Sequence, residues 1–388
     1  MIKKYIDNFI SKNRSTLLGV GPMSINCVDA TIELSNEYNI PIMLIASRRQ
    51  IDSNYFNGGY VNNWTTQKYS EYVFSRDNKN NIILARDHGG PWQNNKEIQE
   101  KLNLREAMNS AKESYKVDID CGFKVIHIDP SIDIHETPSQ NQLLERLFEL
   151  YDFCCEYAIV NKKDIIFEIG TEEQSGSTNT QEELDFTLSQ VKRFCKKNNF
   201  PNPTFVVVQT GTKVMETKNI GSFDSPLRVY NEIPAEIQIP KMIEICEKHK
   251  IYMKEHNTDY LSDVALSWHP RLGIHSANVA PEFGVIESKA FVNLLEENNL
   301  KFLGTKFLDL SYKSKKWEKW MLPNTTASDY EKSIISGHYI FSTPEFIEIK
   351  NEASHNLKKK LDIDDFLRQE VKKGILRYLY NFRLIKNK

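Results

Sequence analysis

Apolar residues in the first 300 positions fall into short runs, separated by polar loops and by longer stretches of helical period. Runs rich in Val, Ile and Leu occupy 17–23, 41–47, 81–88, 122–130, 164–170, 204–211, 251–258 and 273–280. They are near-continuous rather than alternating, as in parallel strands covered on both faces. Between them the periodicity predicts helices at about 25–37, 96–113, 140–161, 181–198, 234–249, 261–268 and 282–298. Thr180 with Glu183 three residues on reads as a capping box, in which hydroxyl and carboxylate each satisfy a free backbone N–H of the first turn.

Eight strand–helix units predict a (β/α)8 barrel. A dinucleotide-binding open sheet is disfavoured, because the first turn, Gly19-Val20-Gly21-Pro22-Met23-Ser24, breaks the GxGxxG spacing. Beyond about residue 300 the pattern changes to a Lys-rich, aromatic, helical region that includes Trp317, Trp320, Tyr339, Phe341, Tyr378 and Phe382. Lys358-Lys359-Lys360 and Lys372-Lys373 read as solvated helix faces. The expected organisation is an α/β barrel over 1–300 and a helical C-terminal extension over 301–388, packed on the barrel or on a partner subunit.

Composition narrows the function classes. The 388 residues carry 50 Lys+Arg against 52 Asp+Glu, a net charge of −2, which argues against a nucleic-acid surface built on general basicity. With 40% hydrophobic residues the chain has enough apolar material for a large core. A mean hydropathy of −0.50 and the lack of any apolar run near 18 residues argue against a membrane span. Residues 1–7 read as the start of an amphipathic helix rather than a secretion signal. Six cysteines without a CxxC spacing suit reduced thiols of a cytoplasmic protein.

In such a barrel the catalytic groups sit at the C-terminal ends of the strands. Here those ends carry Asp87-His88-Gly89-Gly90, His127-Ile128-Asp129, Glu168 to Glu173, Gln209-Thr210-Gly211, Glu255 to Asp259, and His275-Ser276-Ala277-Asn278. Histidines and carboxylates converging on one mouth suit a divalent metal such as Zn²⁺, with His88 and His256 as candidate ligands. Asp87 beside it is a candidate proton carrier. Glu168 and Glu172 lie four residues apart and on one side of an alternating strand, one as a ligand and the other as an interior acid. His127 and His275, inside strands, read as core or supporting histidines.

The order and strand positions of Asp87-His88-Gly89-Gly90-Pro91, Gly122 to Asp129, Ile169-Gly170-Thr171-Glu172, Val207-Val208-Gln209 and His256-Asn257-Thr258-Asp259-Tyr260 resemble the GatZ/KbaZ family. That family is the so-called non-catalytic subunit of class II tagatose-bisphosphate aldolase. The resemblance implies a class II aldolase-like barrel in which Asp87 moves the proton, His88 and His256 bind metal, and Glu172 or Glu168 lies near it. Gln209 and Asp129 are the nearest polar candidates for the third histidine of the catalytic aldolases. Asp259, in the last motif, is a further candidate catalytic carboxylate. Thr258 and Asn278 fall where such barrels usually bind phosphate, and Asp129 at the end of its strand is also a candidate substrate contact.

Two departures bear on the substrate. Ser47-Arg48-Arg49-Gln50 stands where the family has small polar residues, and Ala277-Asn278-Val279-Ala280-Pro281 replaces a Val-Gly-Pro. Arg48 and Arg49 suit a bidentate grip on phosphate or carboxylate, or serve as one site residue and one surface residue. The reading that follows is a metal-dependent enzyme acting on a ketose or ketose phosphate through an enediolate, by aldol chemistry or by epimerisation near C4. The alternative is a stabilising partner of a separate aldolase subunit, and self-association is compatible with either.

Overall fold

The structure is a computed structural model, and it describes residues 1–170, 180–223, 234–357 and 361–386. Eight parallel strands close into a barrel in sequential order: β1 (Leu17–Val20), β2 (Ile42–Ser47), β3 (Ile82–Gly89), β4 (Val125–Ile128), β5 (Ile166–Ile169), β6 (Phe205–Val207), β7 (Tyr252–Glu255) and β8 (Ser276–Val279). Strand β1 pairs with both β2 and β8, so no edge is left open. The predicted (β/α)8 architecture is present, with each run shortened to its paired residues.

Alternation along these strands sorts the side chains into three layers. Leu17, Met43, Ile45, Ile83, Ala85, Val125, Ile166 and Phe205 fill the barrel interior. Two residues further along the same parity come the polar positions Asp87, His127, Glu168 and Lys254. Residues of opposite parity, such as Leu18, Leu44, Leu84, Ile126 and Phe167, join the main core between strands and helices. The helix Ile2–Asn13 lies at the other end of the barrel, where Ile6 packs into the interior cluster and the Met1 amine meets Asp164 at 2.9 Å.

Local signals explain most helix bounds. Thr180, Ser139 and Asn103 each close a capping box. The predicted helix over 96–113 is two helices, Asn95–Gln99 and Leu104–Asp120, because Asn103 caps a new start. A helix at Thr66–Phe74 and a hairpin of Val214–Met215 with Lys218–Asn219 were not legible from periodicity. No helix of the described residues is long and apolar enough to cross a membrane.

The C-terminal region is not a simple appendage. Helices Lys301–Lys313, Asp329–Ser336 and Pro344–Asn356 build a second core with Phe291, Val292 and Leu295 of helix Pro281–Glu297. The last helix, Ile363–Asn381, bridges both cores. Ile363 and Leu367 join the second, while Val371, Ile375, Tyr378 and Leu379 join the barrel's main core.

Candidate active site at the barrel mouth

The site begins with an irregularity in β3. Ala85 and Arg86 pair with Val125 and Ile126, but Gly89 pairs with Ile128, so Asp87 and His88 stand opposite the single residue His127. In a regular strand two successive side chains point to opposite faces. Here the extra residue and a left-handed backbone at His88 (φ 45°) let both reach one mouth. The two glycines that follow are required by close approach. A Cβ at Gly89 would lie 2.7 Å from the His127 carbonyl oxygen, and one at Gly90 2.0 Å from that of Asp129.

Four side chains then converge. Ligand atoms of Asp87, His127, Glu168 and His256 all lie within 4.8 Å of one another. His256 Nε2 is 2.9 Å from Glu168 Oε1 and 3.7 Å from Asp87 Oδ1. His127 Nδ1 is 3.7 Å from Glu168 Oε1 and 3.9 Å from Asp87 Oδ1. The rings of His88, His127 and His256 form a triangle with centroids 5.1 to 5.7 Å apart. His127, expected to be a core histidine, is thus a member of the cluster. It shares the parity of Val125, which aims it into the barrel, and its Nε2 is buried without a hydrogen-bond partner.

The electrostatics favour ionised carboxylates. Burial opposes charge on Asp87, but His88, His256 and His127 more than offset it and hold its carboxyl well below the usual range. Burial likewise opposes charge on Glu168, which Lys254, His127 and His256 bring down to about 2. Lys254 Nζ sits 2.5 Å from Glu168 Oε2, a buried ion pair on the barrel axis side that the sequence reading missed. Its signal was the parity of 252 and 254 in β7, continued at 256 just past the strand end. Two deprotonated carboxylates and two imidazoles at these separations are able to hold a metal ion.

Asp129, expected as a substrate contact, instead orients His88. It accepts from His88 Nδ1 at 2.7 Å and from Gln93 Nε2 at 3.0 Å. With Asp87 it outweighs the effect of burial and lifts the His88 imidazole to about 9. Asn278 donates to Asp87 Oδ1 at 3.2 Å and lines the cavity.

The remaining expected residues differ in placement, and of them Asp259 also lines the cavity. Arg48 is buried, paired to Asp52 at 3.0 Å and to Glu97 at 2.6 Å, so its guanidinium is not offered to a substrate. Thr258 is buried and gives its hydroxyl to Glu255 at 2.8 Å, away from the cavity. Asp259 accepts the backbone N–H groups of Ala280 and Glu282, both at 2.9 Å, and so holds the start of helix Pro281–Glu297. Burial and the neighbouring Glu282 push its carboxyl up to about 7. Gln209 follows β6 and is half-buried. Glu172 lies outside the described residues. His275 sits at the start of β8, accepting from Met253 N and packed on Tyr252, a structural role as expected.

Above the cluster opens a cavity of about 660 Å³. Its floor and near wall include Asp87, His88, His256 and Asn278. Arg49, Gln50 and Tyr60 come from the loop after β2, and Lys315, Lys316, Glu318, Lys319, Trp320 and Tyr339 come from the C-terminal region.

Residues 3–268 match the family model described as D-tagatose-1,6-bisphosphate aldolase subunit GatZ/KbaZ-like. Among solved structures, a probable tagatose 6 phosphate kinase from Sinorhizobium meliloti 1021 is similar with a TM-score of 0.74 at 16% identity, over 94% of this chain and 99% of that one. A fructuronate-tagaturonate epimerase from Cohnella laeviribosi gives a TM-score of 0.60 at 10% identity, over 96% of this chain and 82% of that one. At these identities the structural likeness is one of fold.

Proposed function

The chain belongs to the GatZ/KbaZ-like family of D-tagatose-1,6-bisphosphate aldolase subunits, an aldolase-like protein of carbohydrate metabolism, and on that premise we propose that it is itself a metal-dependent enzyme acting on a ketose or ketose phosphate. The observation that carries this reading is the convergence of Asp87, His88, His127, Glu168 and His256 beneath an open cavity. Burying ionised carboxylates is costly, and a scaffold gains nothing from grouping them at a solvent-accessible mouth.

Of the four-residue cluster, His127, His256 and Glu168 would hold a divalent ion, with His88, whose ring stands 5.1 Å from that of His256, as a further donor and Asp87 left to move a proton; Zn²⁺ is the ion best suited to imidazole and carboxylate donors. Bound there, the ion supplies polarisation of a ketose carbonyl. Asp87, kept ionised and steadied by Asn278, accepts a proton from a substrate hydroxyl or carbon and returns it. Asp129 keeps the His88 ring turned to the mouth. Removal of the proton from the C4 hydroxyl of a 2-ketose would break the C3–C4 bond, leaving an aldehyde and an enediolate, which is aldol cleavage; re-addition of the enediolate to the other face of the aldehyde would give epimerisation at C4, so both outcomes are tested together.

The word subunit in the family's description favours a second reading, a stabilising partner of a separate catalytic aldolase chain. One experiment separates them. Purified protein is analysed for metal content, then incubated with ketoses and ketose phosphates in D₂O with added Zn²⁺ and followed by NMR. The enzyme reading expects stoichiometric metal, exchange or conversion of one sugar, and loss of both in His256→Ala. A metal-free protein that exchanges no substrate, yet co-elutes with an aldolase subunit, would support the partner reading instead.

A further inference from the structure

Of the groups assigned above to the ion, Glu168 is the only carboxylate, and its two oxygens have different surroundings. Oε1 faces the cluster, 2.9 Å from His256 Nε2 and 3.7 Å from His127 Nδ1. Oε2 accepts from Lys254 Nζ at 2.5 Å. Both residues of this pair are 1% exposed. They reach each other across β6, which pairs with β5 at Glu168 and with β7 at Lys254. The ammonium stands 5.8 Å from the Phe205 ring and has no other hydrogen-bond or ion-pair partner among the described residues. Neither Lys254 nor Glu168 lines the cavity, so the lysine meets the site only through Glu168.

Packing gives no reason for a lysine here. The layer below is filled by Val125, Ile166 and Phe205, and Lys254 has the same inward parity. An apolar side chain would suit that interior, and a buried ion pair contributes little net stability over apolar groups of similar volume. What the ammonium does is chemical. It donates and cannot ligate, so it occupies Oε2 and leaves Oε1 alone for the cluster. It also cancels one of the negative charges placed beside the imidazoles. Zn²⁺ is satisfied by a few nitrogen and single-oxygen donors. Mn²⁺ and Ca²⁺ favour many oxygens, and Ca²⁺ commonly takes both oxygens of a carboxylate.

We infer that Lys254 is a positioning residue that restricts Glu168 to one-oxygen ligation and so makes the cluster favour an imidazole-preferring ion such as Zn²⁺ over an oxygen-preferring one such as Mn²⁺. The inference rests on the reading of the cluster as a metal site and adds the residue that sets its selectivity. Partners that hold a ligating side chain from behind govern metal affinity nearly as strongly as the ligands do. Here the partner is drawn from the strand that leads into His256, so one segment, 254–256, supplies both a ligand and the restraint on another.

The test compares two affinities in the whole chain. Zn²⁺ binding is measured by competition with a chelator, and Mn²⁺ binding by the electron paramagnetic resonance of the free ion. Lys254→Met, which frees Oε2, should shift the ratio of the two affinities towards Mn²⁺ by about tenfold or more. Lys254→Arg, which keeps a cationic donor on Oε2, should stay near the wild-type ratio. A lysine needed only for folding would change both affinities together and leave the ratio where it was. A crystal structure of the Zn²⁺-loaded wild type gives a check that needs no variant: Oε1 is expected on the ion and Oε2 on Lys254. An unchanged ratio in folded Lys254→Met, or Glu168 bound to Zn²⁺ through both oxygens, would overturn the role of Lys254 alone. A wild type that binds neither ion would overturn the metal-site reading and this inference with it.

Discussion

At the residue scale, partners decide what a charged side chain does, and partners are remote in sequence. Asp87 and His88 were legible because a strand end followed by two glycines is a local feature. His127 was not, because a histidine within a strand has the same local appearance whether it packs in a core or faces a barrel mouth. Arg48 and Arg49 are adjacent in sequence and differ entirely in fate, one paired with Asp52 and Glu97 and the other left facing the cavity. Glu287 shows the same dependence. It is buried, receives hydrogen bonds from Ser24 Oγ and Asn26 Nδ2, and burial pushes its carboxyl up to about 7. Its folded state thus holds a proton that the unfolded chain releases near the ordinary carboxylate value of 4.5. Stability from this group is full below about pH 4.5 and falls as pH rises towards 7. Glu287→Gln, which keeps both contacts, should therefore raise stability at pH 8 by about 2–3 kcal/mol and leave it little changed at pH 5. Urea unfolding at the two pH values measures the difference.

At the element scale, the long amphipathic helices and buried strands declared themselves, and the short connectors did not. A two-residue strand has no periodicity to read, yet the hairpin 214–219 ties the loop after β7 to Trp320 of the C-terminal region. Asn219 is its knot. Its amide donates to the Asn257 and Asp259 carbonyls, and its oxygen accepts from the Lys213 and Gly221 N–H groups. Asn219→Ala leaves those backbone groups without their partner and should cost about 2 kcal/mol in urea unfolding. It should also weaken metal retention, read by competition with a chelator, because His256 begins the loop that Asn219 holds. A metal affinity identical to wild type would show that the hairpin supports the fold without supporting the site.

At the scale of the whole molecule, the barrel and the C-terminal region form one structure rather than a domain and its tail. The last helix delivers Val371, Ile375, Tyr378 and Leu379 to the barrel's main core, and Phe382 O accepts from Thr16 N at the start of β1. Ending the chain at residue 300 would strip these side chains from the barrel and expose the apolar faces they cover. We expect that truncated chain to lose its near-ultraviolet dichroism and to aggregate in size-exclusion chromatography, whereas an independent barrel would stay monodisperse and ordered. The sequence by itself determined the barrel, the strand ends and the Asp87–His88 pair, because hydrophobic period and turn residues act over a few positions. Tertiary structure alone decided that His127 and Lys254 face inward, that Arg48 is spent on buried carboxylates, and that lysines from beyond residue 300 roof the cavity. Those outcomes depend on which distant groups are brought within a few ångströms, and no local pattern encodes that.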